Sequence, residues 1–462
     1  MNTDRKPLLT DFNKQSADQW EAQILKELKG KPLTDVTSIG EDGITIKPFY
    51  HHSQVKSAGK FWKQTAGNPW FIVEKIEVNE AKSSNKKALH ALMNGASAIW
   101  FAGNITEDTL ADLLNQISIP HIQLWLEPSN NIASLKAEFV TYCNANYPKQ
   151  QINGGVIDSP LTNIASKGKW SNNKAEALQT IADYNDTFTK IDGCQWRNAG
   201  CTLAQELAIF LSESNEYLGL QLSNNVDDFA KNVIFNTGIG ENYFFEIAKI
   251  RAARLLWNNL IKGYTSQSVN LHVHAENITL NKSIYDQHNN LLRTTTEAMA
   301  AILGGCDSLH ITPFDNAYNG NSVLGERMAR NIQSILKEES YFDKIADPAN
   351  GSYYIESLTT EIAEKAWELF QAIEAGGGYI SAIESNQLQE MAAATFTEKE
   401  IAFENGEQII LGVNRYPNAT EQINVTEIAS NAPIKNGAEF MAIQPTRLAA
   451  KQEAARAQKI AH

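Results

Sequence analysis

The feature that most constrains this chain is an alternation. Between Trp70 and Thr312 a short β-branched or aromatic run is followed by a longer segment with helical spacing, again and again. The runs are Trp70–Ile76, Ser97–Ala102, His121–Leu126, Gly154–Asp158, Phe188–Asp192, Val233–Phe235, Val269–His274 and Ser308–Thr312. Helical spacing covers 85–94, 107–116, 133–146, 173–184, 203–217, 241–260 and 283–303 between them, and 324–337 after the last. The helix before the eighth run opens on a capping-box pattern, Ser283-x-x-Asp286, and stops at Gly304-Gly305, where glycine supplies the left-handed turn of a helix end. Parallel strands require such crossovers, since a tight hairpin only reverses the chain. Units of this size, closed in one run of roughly 270 residues, predict an α/β fold of the (β/α)8 TIM-type barrel class. A doubly wound open sheet is the alternative. It is disfavoured because no Gly-rich phosphate fingerprint follows the first run.

The flanks read differently. Residues 1–66 form an N-terminal arm, with an amphipathic helix over Asp18–Leu28 and an extended Ile44–Tyr50. Its Trp20, Phe49 and Tyr50 lie either on the chain's own barrel or on a partner subunit, because aromatic side chains make good interface anchors. The barrel takes 67–340. A C-terminal helical extension fills 341–462, with helices at 361–375, 379–384, 388–405 and 446–459 and a strand at Gln408–Val413.

Composition narrows the partners. A net charge of −13 argues against nucleic acid, which wants a basic stripe. Cys143, Cys194, Cys201 and Cys306 are scattered, with no C-x-x-C pair, as fits a reducing cytoplasm. No apolar run reaches the length of a membrane span, and no basic-then-apolar leader pattern opens the chain.

Barrel sites lie in the loops after the strands. The loop after the fifth run, Asp192-Gly-Cys-Gln-Trp-Arg-Asn-Ala-Gly-Cys-Thr202, offers Cys194 without a base to activate it. After the sixth, Asn236-Thr-Gly-Ile-Gly240 precedes a helix and can hold an anion, though the pattern is short. That helix turns Phe244, Ile247, Ala248, Leu255 and Arg251 to one face, with Arg254 one turn on. Paired arginines there are buried or interfacial ion-pair partners more often than substrate clamps. The seventh run sets His272, His274 and Glu276 on one side, with His310 next to them. Such a group can chelate a metal, but histidines at barrel ends more often hydrogen-bond to neighbouring loops, and no metal site is expected. Asp286-x-His288 begins a cobalamin-ligating pattern, yet Leu291 stands where its glycine belongs and the spacing is helical.

These residues together resemble the coenzyme-B12-dependent acyl-CoA mutases. The resemblance runs through Glu41–Tyr50, Gly238–Trp257, Asn289–Thr294, Glu297–Ala300, Ser308–His310, Asp347–Tyr353 and Gly412–Asn414, and so covers most of the chain. It implies a barrel that binds acyl-CoA along its axis, followed in active chains by a cobalamin domain. This sequence departs from active members. No D-x-H-x-x-G is present, and the chain ends at His462. Cys194 and Gln195 occupy the places of a Tyr-His pair, of which the His polarises the thioester carbonyl. A glutamine can donate a hydrogen bond but cannot carry a proton. His274 is followed by Ala-Glu-Asn-Ile-Thr in place of Ser-Gln-Thr-Ser-Gly, and the Arg-Gln-Tyr-Ala-Gly segment before Trp70 is missing. The resemblance therefore implies a non-catalytic small subunit of a heterodimeric mutase, with no catalytic or cofactor-binding residues of its own. Methylmalonyl-CoA/succinyl-CoA isomerisation, in propionate metabolism, and adenosylcobalamin belong on this reading to the large subunit. Trp20, Phe49, Tyr50, Arg251 and Arg254 are the expected interface residues. Two alternatives stay open: a catalytic barrel that borrows cobalamin from a separate protein, and an acyl-CoA-binding scaffold.

Overall fold

The computed structural model describes residues 12–13, 15–55, 65–171, 173–182, 187–221, 226–421 and 438–460. Eight parallel strands close into a barrel: β1 (Phe71–Val78), β2 (Ala98–Gly103), β3 (Gln123–Pro128), β4 (Asn153–Asp158), β5 (Phe188–Asp192), β6 (Val233–Ile239), β7 (His272–Asn277) and β8 (Ser308–His310). Consecutive strands are neighbours, and β8 closes the ring on β1 with Ser308 opposite Phe71. Strands covered on both faces read as unbroken apolar runs rather than alternating ones. β6 is such a strand, buried at every position.

Two layers of packing follow from the pleat. Outward-facing residues meet the helices. Inward-facing residues fill the lumen, where Val73, Ala98, Trp100, Trp125, Ile157 and Ile234 form one cluster. Trp100 and Trp125 stand at paired positions of β2 and β3, with ring centroids 6.0 Å apart, and both are buried.

Several expectations change in detail. No helix opens at Ser283: it starts at His288, and Asp286 has a left-handed φ of +47°. The Ser283 amide instead donates to Asn290 Oδ1, because residues 279–287 form a loop held by tertiary contacts. The seventh strand starts at His272, not Val269. The carbonyls of Val269 and Leu271 are taken by Trp257 and Arg254 of the helix Tyr243–Ile261, which leaves them unavailable to a strand ladder. Phe244 is 47% exposed and does not share the buried face of that helix. Gln408–Val413 makes no strand. Asn414 caps the segment from its side chain, leaving a single bridge between Leu411 and Arg415. Short helices that the spacing did not announce follow β4 (Pro160–Lys167) and β5 (Gly193–Asn198).

The arm folds onto its own barrel between Ser38 and Gln54. A small antiparallel pair, Ser38–Ile39 with Thr45–Ile46, sets Gly40 against Phe245, where a Cβ would come within 2.5 Å of the ring. Glu41 reaches Arg197 at 2.8 Å and Lys399 at 3.0 Å, and Asp42 accepts the Ala204 amide at 3.1 Å. Among the described residues no helix is long and apolar enough to cross a membrane.

A charged barrel mouth as the candidate functional site

At the C-terminal ends of the strands the inward positions turn from apolar to charged. Lys75 (β1), Glu127 (β3), Lys190 and Asp192 (β5) and Glu276 (β7) converge there. Lys190 Nζ lies 2.7 Å from Glu127 and 3.1 Å from Asp192, and Lys75 Nζ lies 2.9 Å from Glu276. Trp100 supports both pairs from below. Its indole N–H donates to Glu127 at 2.8 Å, and both ammonium groups sit above its ring, at 5.6 and 5.7 Å from the centroid. Burial alone would neutralise these groups, but opposite charges at contact distance reverse it. Burial opposes the Glu276 carboxylate, yet Lys75 and then His274 hold it well below the usual range. Burial likewise disfavours the Lys190 ammonium, and Glu127 and Asp192 outweigh it, raising the pKa.

Above this layer a cavity of about 450 Å³ opens, walled also by Glu77, Ser129, Asp158, Lys167, Cys194 and Gln195. Gln195 is committed to the wall: its backbone N–H donates to Asp192 at 3.2 Å, and its side-chain oxygen accepts from Ser166. Cys194 is buried, and burial pushes its thiol well above the ordinary range, so it is not an activated nucleophile. His274 is fully buried, with Nδ1 2.8 Å from Ser308 Oγ and Nε2 3.4 Å from Glu276. Burial lowers its pKa despite Glu276, and pushes that of His310 down to about 4. Both imidazoles are therefore neutral at pH 7, and His272 also bonds Ser308 Oγ, at 3.1 Å. No group of three or more metal-ligating side chains with metal-site geometry occurs among the described residues.

The other candidates fall elsewhere. Asn236–Ile239 belongs to β6, and the amides proposed for an anion are already used: Gly238 N–H donates to Glu206 at 3.0 Å and Gly240 N–H to Glu246 at 2.9 Å. Arg251 and Arg254 turn inward, at 1% and 4% exposure. Arg251 is held by Asp347 and Glu356, and Arg254 by Asp307 at 2.7 Å, so they belong to internal ion pairs and not to a surface. Trp20 stacks on Phe49 with centroids 4.5 Å apart, and Tyr50 leans on Tyr354 at 5.1 Å. The stretch 56–64, where the missing Arg-Gln-Tyr-Ala-Gly segment is expected, lies outside the described residues. Asp286 and His288 do not fit a cobalt-ligating pair. Asp286 accepts from Asn289 at 2.6 Å, and His288 sits on the surface against Phe314.

Sequence reasoning had not singled out Lys75, Glu127 or Lys190. The signal was available: each is the charged residue two places beyond an inward apolar position of its strand.

A closed parallel barrel with its polar residues gathered at the strand C-termini defines a (β/α)8 protein of the class that carries enzyme sites at that face. Residues 105–460 match the family described as methylmalonyl-CoA mutase. The chain is 31% identical over 453 residues to the methylmalonyl-CoA mutase small subunit of Porphyromonas gingivalis, an alignment covering 91% of this chain and 73% of that one. Methylmalonyl-CoA mutases of Cereibacter sphaeroides and Rhizobium meliloti are 31% and 30% identical, over 87% and 93% of this chain and 65% and 67% of theirs. This chain belongs to the methylmalonyl-CoA mutase family. It spans roughly two thirds to three quarters of the length of these relatives.

Proposed function

We propose that this chain is the non-catalytic small subunit of a heterodimeric, adenosylcobalamin-dependent methylmalonyl-CoA mutase. The isomerisation of methylmalonyl-CoA and succinyl-CoA, and the cofactor, then belong to a homologous large subunit in the cytoplasm. One observation carries the reading: the barrel axis is filled. Trp100 and Trp125 occupy the lumen, and the Lys75–Glu276 and Lys190–Glu127 pairs lie across it. An acyl-CoA threaded along the axis would have to displace two buried indoles and break two ion pairs, each costly to leave half-made.

The mouth supports the same reading. Gln195 has no proton to give, Cys194 is buried, and the buried histidines are neutral and engaged. The work of such a subunit is to stabilise the active chain by binding its folded form. The arm residues Trp20, Phe49 and Tyr50 are the proposed contacts, while Arg251 and Arg254 serve the chain's own fold.

The test is to express this chain alone and together with its candidate large subunit, then assay both for methylmalonyl-CoA isomerisation with added adenosylcobalamin. The expected result is silence alone and activity from a stable one-to-one complex. Turnover by the isolated chain, with or without a separate cobalamin-binding protein, would overturn the reading. Equilibrium dialysis with the CoA ester is expected to show weak or no binding to the isolated chain.

A further inference from the structure

The segment from Glu439 to Glu453 crosses the C-terminal face of the barrel and is stitched to it by main-chain bonds. The amides of Glu439 and Phe440 donate to Gly168 O at 2.8 and 3.1 Å, and that of Ile443 to Ala165 O at 3.0 Å. Those of Thr446 and Leu448 donate to Asn198 O at 2.9 Å and Leu280 O at 3.0 Å. The acceptors lie in the connections after β4, β5 and β7, so one segment ties three sectors of the mouth. The approach is close: at Gly168, with φ +67°, a Cβ would sit 2.5 Å from Phe440 O. Phe440, Ile443 and Leu448 bury their side chains beneath the segment.

Its far end is fastened by a buried pair. Glu453, 2% exposed, accepts the Ile284 amide at 2.8 Å on one oxygen and Arg447 Nη1 at 2.7 Å on the other. Arg447 also reaches Lys282 O at 3.4 Å. Beneath the Thr446–Asn198 bond lies the short helix that carries Cys194 and Gln195. Asn198 secures it further, donating to Cys194 Sγ at 3.5 Å and accepting the Thr279 amide at 2.7 Å.

We propose that Glu439–Glu453 is a latched strap that clasps the loops after β4, β5 and β7 together, with the Arg447–Glu453 pair as its latch. A segment held by a row of main-chain bonds and one charged junction can open as a unit without global unfolding. Opening it removes the Thr446 and Leu448 bonds together and frees the Cys194–Asn198 helix beneath. The strap is thus a conformational control on the cavity wall that these loops build, independent of whether this chain turns over any substrate. Drawing it aside loosens the cavity wall at Cys194.

Cys194 reports the event. The full chain, R447A and E453Q are treated with iodoacetamide, and alkylation is followed at each cysteine by mass spectrometry. Cys143, on the helix Ile132–Asn146, and Cys306, just before β8, are buried and serve as internal controls. Loss of a charged hydrogen bond should speed labelling of Cys194 on the order of tenfold in both variants, with the two controls unchanged. Unchanged labelling of Cys194, or equal acceleration at Cys194, Cys143 and Cys306, would overturn the proposal. Should neither variant fold, hydrogen exchange of the unmodified chain decides. The amides of Ile443, Thr446, Leu448, Thr279 and Ile284 are expected to open together, ahead of the barrel strands. Their exchange only in step with those strands, or at unrelated rates, would refute a strap.

Discussion

Lys190 of β5 and Glu127 of β3, two strands apart around the barrel, meet with 2.7 Å between ammonium and carboxylate, at 6% and 20% side-chain exposure. Glu127 also accepts the Trp100 indole, and Lys190 also contacts Asp192. The pair closes the lumen over an apolar plug, and its members depend on each other: either alone would be a charge held out of water.

K190M therefore leaves Glu127 and Asp192 without their cation. Breaking a buried pair from one side costs roughly 3–5 kcal/mol, and urea unfolding of the variant should show a loss of that size. A loss under about 1 kcal/mol would mean that the mouth is wet enough to hydrate both acids.

A proton-bearing side chain at position 195 should not confer chemistry. Q195H is expected to show no turnover in the isolated chain, because the lumen beneath it stays filled by Trp100 and Trp125. W100A should lower stability by about 3–5 kcal/mol, as large-to-small changes of buried aromatics do. Isomerase activity from Q195H alone would sink the account of a plugged axis.

Glu213 is buried with Thr162 Oγ1 donating to it at 2.7 Å. Burial pushes its pKa up from 4.5 to about 8, with Asp192 adding to the rise while Thr162 and Tyr379 oppose it. The folded chain keeps the proton that the unfolded chain releases near pH 4.5. The stabilising contribution is thus full below that pH and is lost as pH rises through about 8, at roughly 1.4 kcal/mol per pH unit. E213Q, which cannot ionise, should match the parent near pH 4.5 and exceed it increasingly toward pH 8. Parallel stability curves for the two proteins across that range would contradict this.

Glu41 behaves in the opposite sense. Burial opposes its charge, but Arg197 and Lys399 outweigh that and lower its pKa from 4.5 to about 2. Its contribution is present above pH 4.5 and lost as pH falls through about 2, worth roughly 3 kcal/mol in all. E41Q should unfold more easily at pH 7 and show a flatter acid limb than the parent. Because Glu41 ties the arm to the barrel, exchange of the 38–54 amides should rise first.

Much of this was legible in the chain. The alternation of apolar runs with helical spacing identified the eight strands and their crossovers, since a parallel sheet leaves that periodicity wherever both faces are buried. Cys194 and Gln195, where the resemblance expects a Tyr-His pair, were equally visible as residue types. Local rules failed where distant groups claimed the backbone. Ser283 lost its cap role to a loop held by Asn290 and Glu453, and Val269 and Leu271 gave their carbonyls to Trp257 and Arg254.

By itself, then, the sequence determined which segments are strands and helices, and which chemical groups stand after each strand. Periodicity and side-chain identity are local properties of a chain. Only the tertiary structure decided that Lys75, Glu127, Lys190 and Glu276 neutralise one another across the lumen, that two tryptophans fill it, and that residues 439–453 lie over its mouth. Those relationships join residues tens to hundreds of positions apart. The closed ring of eight strands is what brings them within hydrogen-bond distance.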